Sequence, residues 1–199
     1  MRRSSLTSRS FIPLLLAAFL AGCGTSSRQS AGSLVPSGPR LAGLTCAPFA
    51  RELSGIALYG EADTWWNGSA GQYRRANRPE VGSVLVFRRS LRLPSGHVSV
   101  VSRVLGPRQI EVIQANWVPE ELDQDQLVVD VSERNDWTQV RVWYPPVNQL
   151  GSTVYASYGF VLPPRPATYD ELSRAARPAM LYAIDTRGRP LPRARNSGG

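Results

Sequence analysis

The chain has 199 residues, enough for one ordinary domain with extended ends and a single sizeable core. Its formal charge of +8 comes from 23 basic residues, all arginine, of which three lie in the first 22 residues and seven follow Pro164. Residues 23–163 hold 13 arginines against 12 acids, so the body is near neutral and the basic face that a nucleic-acid partner would need is not expected.

In chain order, Arg2, Arg3 and Arg9, the apolar stretch 11–20 and the small residues after it form the three parts of an export signal. About ten apolar residues are too few to cross a bilayer, which takes about 20. The stretch ends in Leu20-Ala21-Gly22-Cys23, which resembles a bacterial lipobox; the alternative is an ordinary signal peptide with an incidental cysteine. The resemblance implies cleavage before Cys23 and its lipidation, hence a membrane partner through an N-terminal anchor. Gly24 rather than Asp follows, which by similarity to Gram-negative sorting signals implies the outer membrane, facing the periplasm. Residues 23–40 are rich in Gly, Ser and Pro and read as a flexible tether.

Thr45 as N-cap, Pro48 in a first turn, and Phe49, Leu53, Ile56 and Ala57 at helical spacing predict a helix of about three turns. Cys46 falls in its first turn. With Cys23 acylated, Cys46 has no intrachain partner, and an exported chain that keeps a free thiol invites a functional reading beside the alternative of a buried structural cysteine. Amide N–H groups and the helix dipole are expected to lower its pKa, giving fast alkylation at neutral pH. Trp65 and Trp66 follow in a short helix or turn, one side buried and one partly wet; the choice is between core packing and a cleft wall that stacks sugar or peptide.

Residues 83–88 predict a strand, and residues 93–117 a β-hairpin holding the sole histidine, His97. With Gly106-Pro107 as the loop, Val104 pairs with Gln109 and His97 faces Asn116, with Gln114 two residues back on the same face. Glu120, Glu121, Asp123 and Asp125 read as a solvated loop lacking the EF-hand pattern. Residues 126–131 and 139–144 predict two more strands and residues 155–162 an edge segment. From residue 164 the chain is Pro- and Arg-rich, with one possible short helix at 170–176, and is expected to be a disordered, solubilising tail.

The fold class that results is α+β, a Cys-bearing N-terminal helix packed on an antiparallel β-sheet. Thiol, imidazole and orienting amide are the parts of a cysteine acyl-transfer site. The pieces Cys46-Ala47-Pro48-Phe49-Ala50-Arg51, Pro79-Glu80-Val81-Gly82 with the strand after it, Gly96-His97-Val98-Ser99 and Gln114-Ala115-Asn116-Trp117 resemble the CHAP domains of the NlpC/P60 superfamily, papain-like cysteine amidohydrolases and peptidases. The resemblance implies a papain-like fold over residues 41–163, with Cys46 as nucleophile, His97 as base and acid, and Asn116 as the third member, Gln114 being the alternative. Many members carry Glu-x-Asn where this chain has Gln114-Ala115-Asn116, so ring orientation must replace charge stabilisation here. Peptidoglycan is the implied substrate and partner, with Trp66 and Trp117 as candidate contacts, and a monomer is expected. No cofactor or metal is expected, since one His and one free Cys do not build a usual zinc site. The competing readings are a non-catalytic wall-binding lipoprotein on the same fold and a cysteine amidase or acyltransferase acting on a non-wall amide. No residue decides between amidase and endopeptidase cleavage.

Overall fold

The computed structural model describes the backbone of residues 45–181 and side chains to residue 177. The signal peptide at 1–22, the lipidation site Cys23, the tether at 23–40 and the tail beyond 181 lie outside the described residues.

Helix α1 spans Cys46–Ser54 and buries Ala47, Phe49, Ala50 and Leu53 along one face, as an amphipathic helix must. It is shorter than the spacing predicts. Gly55 takes a left-handed conformation (φ 72°) and donates its N–H to the Arg51 carbonyl at 3.0 Å, which makes it the stop rather than an interior residue. A 3-10 turn, Ala62–Thr64, runs into the one-turn helix α2, Trp65–Gly68.

Eight strands follow: β1 (Arg75–Ala76), β2 (Val84–Phe87), β3 (His97–Gly106), β4 (Gln109–Ala115), β5 (Leu122–Asp130), β6 (Gln139–Tyr144), β7 (Gln149–Leu150) and β8 (Tyr155–Val161). All pairings are antiparallel, in the order β1-β8-β2-β3-β4-β5-β6-β7. An additional pairing of β6 with β8 closes the six central strands into a barrel. The expected antiparallel sheet is therefore closed on itself. Residues 155–162, expected at an edge, supply the closing strand.

The two-residue period of β2 explains the two cores that result. Val84 and Val86 point outward under α1 with Val98, Val100, Ile113 and Ala115. Leu85 and Phe87 point into the barrel with Val101, Ile110, Val112, Trp137 and Phe160. Two expectations fail against this packing. The acidic stretch is not a solvated loop, because β5 starts at Leu122 and carries Asp123 inside, with Glu121 buried beside it. The segment after Pro164, expected to lack order apart from residues 170–176, forms α3 (Tyr169–Leu181), whose Leu172 and Ala176 join the outer core. Tyr169 fastens it, donating its hydroxyl proton to Asp125 at 2.8 Å beneath the Arg103 guanidinium.

The hairpin of β3 and β4 keeps the predicted register in its middle, where Val100 faces Ile113 and Val101 faces Val112, but the expected pairing of His97 with Asn116 does not form because β4 ends at Ala115. At the tip two register shifts move the loop to Pro107-Arg108, with Gly106 facing Gln109. Proline has no N–H to give a ladder, and here it sits in the loop, outside the ladder.

Candidate active site

The outer face of β3 carries α1, and that contact brings the N-terminus of the helix to the first residues of the strand. Cys46 is half-buried there. Its sulfur draws on the N–H of Val98, the peptide link that follows His97, and on the N–H groups of Ala47 and Cys46 itself. These donors favour the thiolate, but burial is the larger effect and pushes the thiol above its ordinary value. The activation expected from the helix end is thus overruled by desolvation.

His97 opens β3 directly after Gly96, whose φ of 70° is one that L side chains rarely adopt. A Cβ on Gly96 would meet the Asp63 Cβ at 2.7 Å and the Phe87 carbonyl oxygen at 2.8 Å. The close approach is held by the Asp63 N–H donating to the Ser95 carbonyl at 3.1 Å, and Arg89 clamps Asp63 at 2.6 Å and also Glu61. The ring of His97 is 3 % exposed and packs edge-on against Phe87 and Trp117, at centroid distances of 5.6 and 5.1 Å. Burial lowers its pKa to about 4, against a smaller opposing effect of the hydrogen bond to the Gln114 oxygen.

That bond settles which amide holds the ring in this structure. Nε2 of His97 lies 3.0 Å from Oε1 of Gln114, which also accepts the hydroxyl proton of Ser99. Nε2 of Gln114 donates to Oε1 of Gln126 at 2.7 Å, and Nε2 of Gln126 donates to the Trp143 carbonyl at 3.1 Å. Asn116, the first choice from the register, does not hold the ring. Strand β4 ends at Ala115, and Asn116 leaves it at φ 63° with its Oδ1 accepting the Glu120 N–H at 2.9 Å. Asn tolerates this left-handed geometry, and the turn it makes swings Trp117 over the imidazole.

Trp117 continues from the imidazole into a groove of about 780 Å³. Tyr155 stands edge-on to it at 5.0 Å, and Arg92, Leu93, Arg141 and Tyr144 complete much of the wall. Trp66 lines a different notch, stacked on Tyr158 at 5.9 Å with the Arg75 guanidinium 5.0 Å above it. Trp65 is fully buried and Trp66 partly so, as a tandem pair requires. The two candidate tryptophans thus serve separate surfaces.

Ser99 and Gln126 were missed in the sequence. Ser99 is two residues from His97 and therefore shares its face, a signal that was legible. Gln126 had no such marker before the pairing of β4 with β5 was known. Among the described residues no group of three or more His, Cys, Asp or Glu is placed to hold a metal ion.

The cysteine at the start of α1 thus lies on the side of β3 that carries Val98, while the histidine that opens the strand is held by the buried amide of Gln114. Residues 36–116 match the CHAP domain family, which belongs to the NlpC/P60-like group of papain-like cysteine peptidases and amidases. Domains of this family are typically cysteine/histidine-dependent amidohydrolases or peptidases, associated broadly with peptidoglycan hydrolase or amidase activity. No curated protein matches the chain.

Proposed function

We propose that this protein is a peptidoglycan hydrolase that cleaves an amide or peptide bond through a thioester on Cys46, with His97 as base and then acid and Gln114 orienting the ring. The observation that carries this reading is the packing of α1 on β3, which brings the helix start bearing Cys46 against the strand that His97 opens. The other ring nitrogen is already taken by Gln114.

The protonation states decide how the step runs. Burial raises the thiol and lowers the imidazole, so both shifts disfavour a thiolate–imidazolium pair. The resting pair is therefore neutral, and proton transfer accompanies attack. In the attack the thiol proton passes to Nδ1 as the sulfur bonds to the carbonyl carbon. The N–H groups at the start of α1 then face the oxygen that gains charge. Collapse breaks the C–N bond and the imidazolium proton goes to the leaving amine. Water, giving a proton to the imidazole, then attacks the thioester, the C–S bond breaks to release the carboxylic acid, and the proton returns to the sulfur.

The groove floored by Trp117 and Tyr155 supplies a place for a peptide, and its two arginines with no acid on the wall suit the carboxylates of wall stem peptides. The protein acts as a monomer tethered by lipid on Cys23 at the outer membrane, facing the periplasm. The test is digestion of purified peptidoglycan by wild type beside Cys46→Ser. Release of soluble fragments by wild type alone is expected, and their masses identify the bond; equal release by both, or none by either, contradicts the reading.

A further inference from the structure

We infer that Gln126, backed by the Trp143 carbonyl, is a positioning residue that dictates which nitrogen of His97 works on the thiol. The inference rests on the function proposed above, but it concerns residues that function does not require.

The chain of donors and acceptors can be read in one direction only. A backbone carbonyl oxygen only accepts, so Gln126 must present its NH₂ to Trp143 and its Oε1 to Gln114. Gln114 must then present its own NH₂ to Gln126 and its Oε1 to Nε2 of His97. An amide oxygen cannot donate, so Nε2 carries the hydrogen. Neutral imidazole has a single N–H, and Nδ1 is left with the lone pair. Turning Gln126 over would set its oxygen against the Trp143 carbonyl, and turning Gln114 over would set its oxygen against that of Gln126.

The four members sit on four consecutive barrel strands, β3, β4, β5 and β6, the first three through side chains and the last through a backbone carbonyl. Gln114 and Ser99 are completely buried and Gln126 is 5 % exposed, so water is not at hand to repair a reversed link. Ser99 donates to the same Gln114 oxygen and fixes the last member from the side. When Nδ1 accepts the thiol proton, Nε2 keeps its hydrogen and no link need change. The relay thus serves the resting ring and the imidazolium equally.

The test uses the sole histidine of the chain, which gives one pair of ring nitrogen signals. In ¹⁵N-histidine-labelled full-length protein at neutral pH, the two-bond proton–nitrogen couplings should show the hydrogen on Nε2. Gln126→Leu should bring a mixture of tautomers and lower kcat on peptidoglycan fragments roughly 10- to 100-fold with little change in KM. Gln126→Glu keeps an oxygen facing Gln114, and in its protonated form also a donor for Trp143, so it should restore the Nε2–H signal and most of kcat. Gln126→Leu with an unmixed Nε2–H signal and wild-type kcat would overturn the assignment. Should that variant not fold, the wild-type spectrum decides, since hydrogen on Nδ1 contradicts the relay outright. Correct tautomers in a protein that leaves peptidoglycan intact would instead sink the proposed function and spare the relay.

Discussion

At Cys46 two opposing influences meet, and their order has a measurable consequence. Burial raises the thiol while the N–H groups of Val98, Ala47 and Cys46 lower it, with burial the larger. Alkylation of Cys46 by a small reagent should therefore be slower than that of free cysteine at pH 7, and should rise only as the pH passes the ordinary thiol range. Rapid alkylation at neutral pH would refute this. His97 offers the complementary change. Gln114→Glu places a carboxylate on Nε2, which raises the imidazole pKa and favours the ion pair, so alkylation at neutral pH should accelerate by about tenfold or more. Gln114→Ala should cost activity severely, whereas Asn116→Ala should act mainly through the turn that carries Trp117. The identities of Cys46 and His97 as candidates were legible because each is the single usable residue of its type. The partner of the ring was not, since a strand pattern does not reveal that β4 ends one residue before Asn116.

At the scale of elements, the site depends on two junctions. The first is Gly96, where the 3-10 turn of Asp63 presses against the start of β3. Gly96→Ala adds a methyl group into 2.7–2.8 Å contacts at a positive φ, and should cost about 2 kcal/mol or more in urea unfolding and displace His97. Wild-type stability and activity in that variant would show that the contact is soft. The second junction is α3, which adds Leu172 to the core beneath α1. Leu172→Ala should destabilise by about 2–5 kcal/mol, measured the same way. Strands β2 to β4 were legible from β-branched runs and from Gly and Pro punctuation. The packed α3 was not, because its few apolar residues gain value only against a surface that other elements build. The barrel closure by β8 was hidden for the same reason, being a contact between segments distant in sequence.

For the molecule as a whole, two buried titratable groups pull stability in opposite directions with pH. His97 is neutral in the fold, with a pKa near 4, and binds a proton more readily once unfolded. Its contribution is complete above about pH 6.5 and is lost as pH falls toward 4, an effect of about 3 kcal/mol. Asp123 does the reverse. Burial first, and then the charge of Glu121, raise its carboxyl to about 7, so its contribution is present below about pH 3.8 and is lost as pH rises through 7. Asp123→Asn should therefore be more stable than wild type at pH 8 and should lose stability more steeply between pH 6.5 and 4. A variant less stable than wild type at pH 8 would contradict the buried-acid account. The central claim, that Cys46 carries the acyl group, is tested most directly by acid-quenching a reaction with a soluble peptidoglycan fragment and mapping the protein by mass spectrometry. The account predicts an acyl adduct on the peptide holding Cys46, absent from Cys46→Ser, and product formation with no adduct or from the Ser variant at the wild-type rate would contradict it.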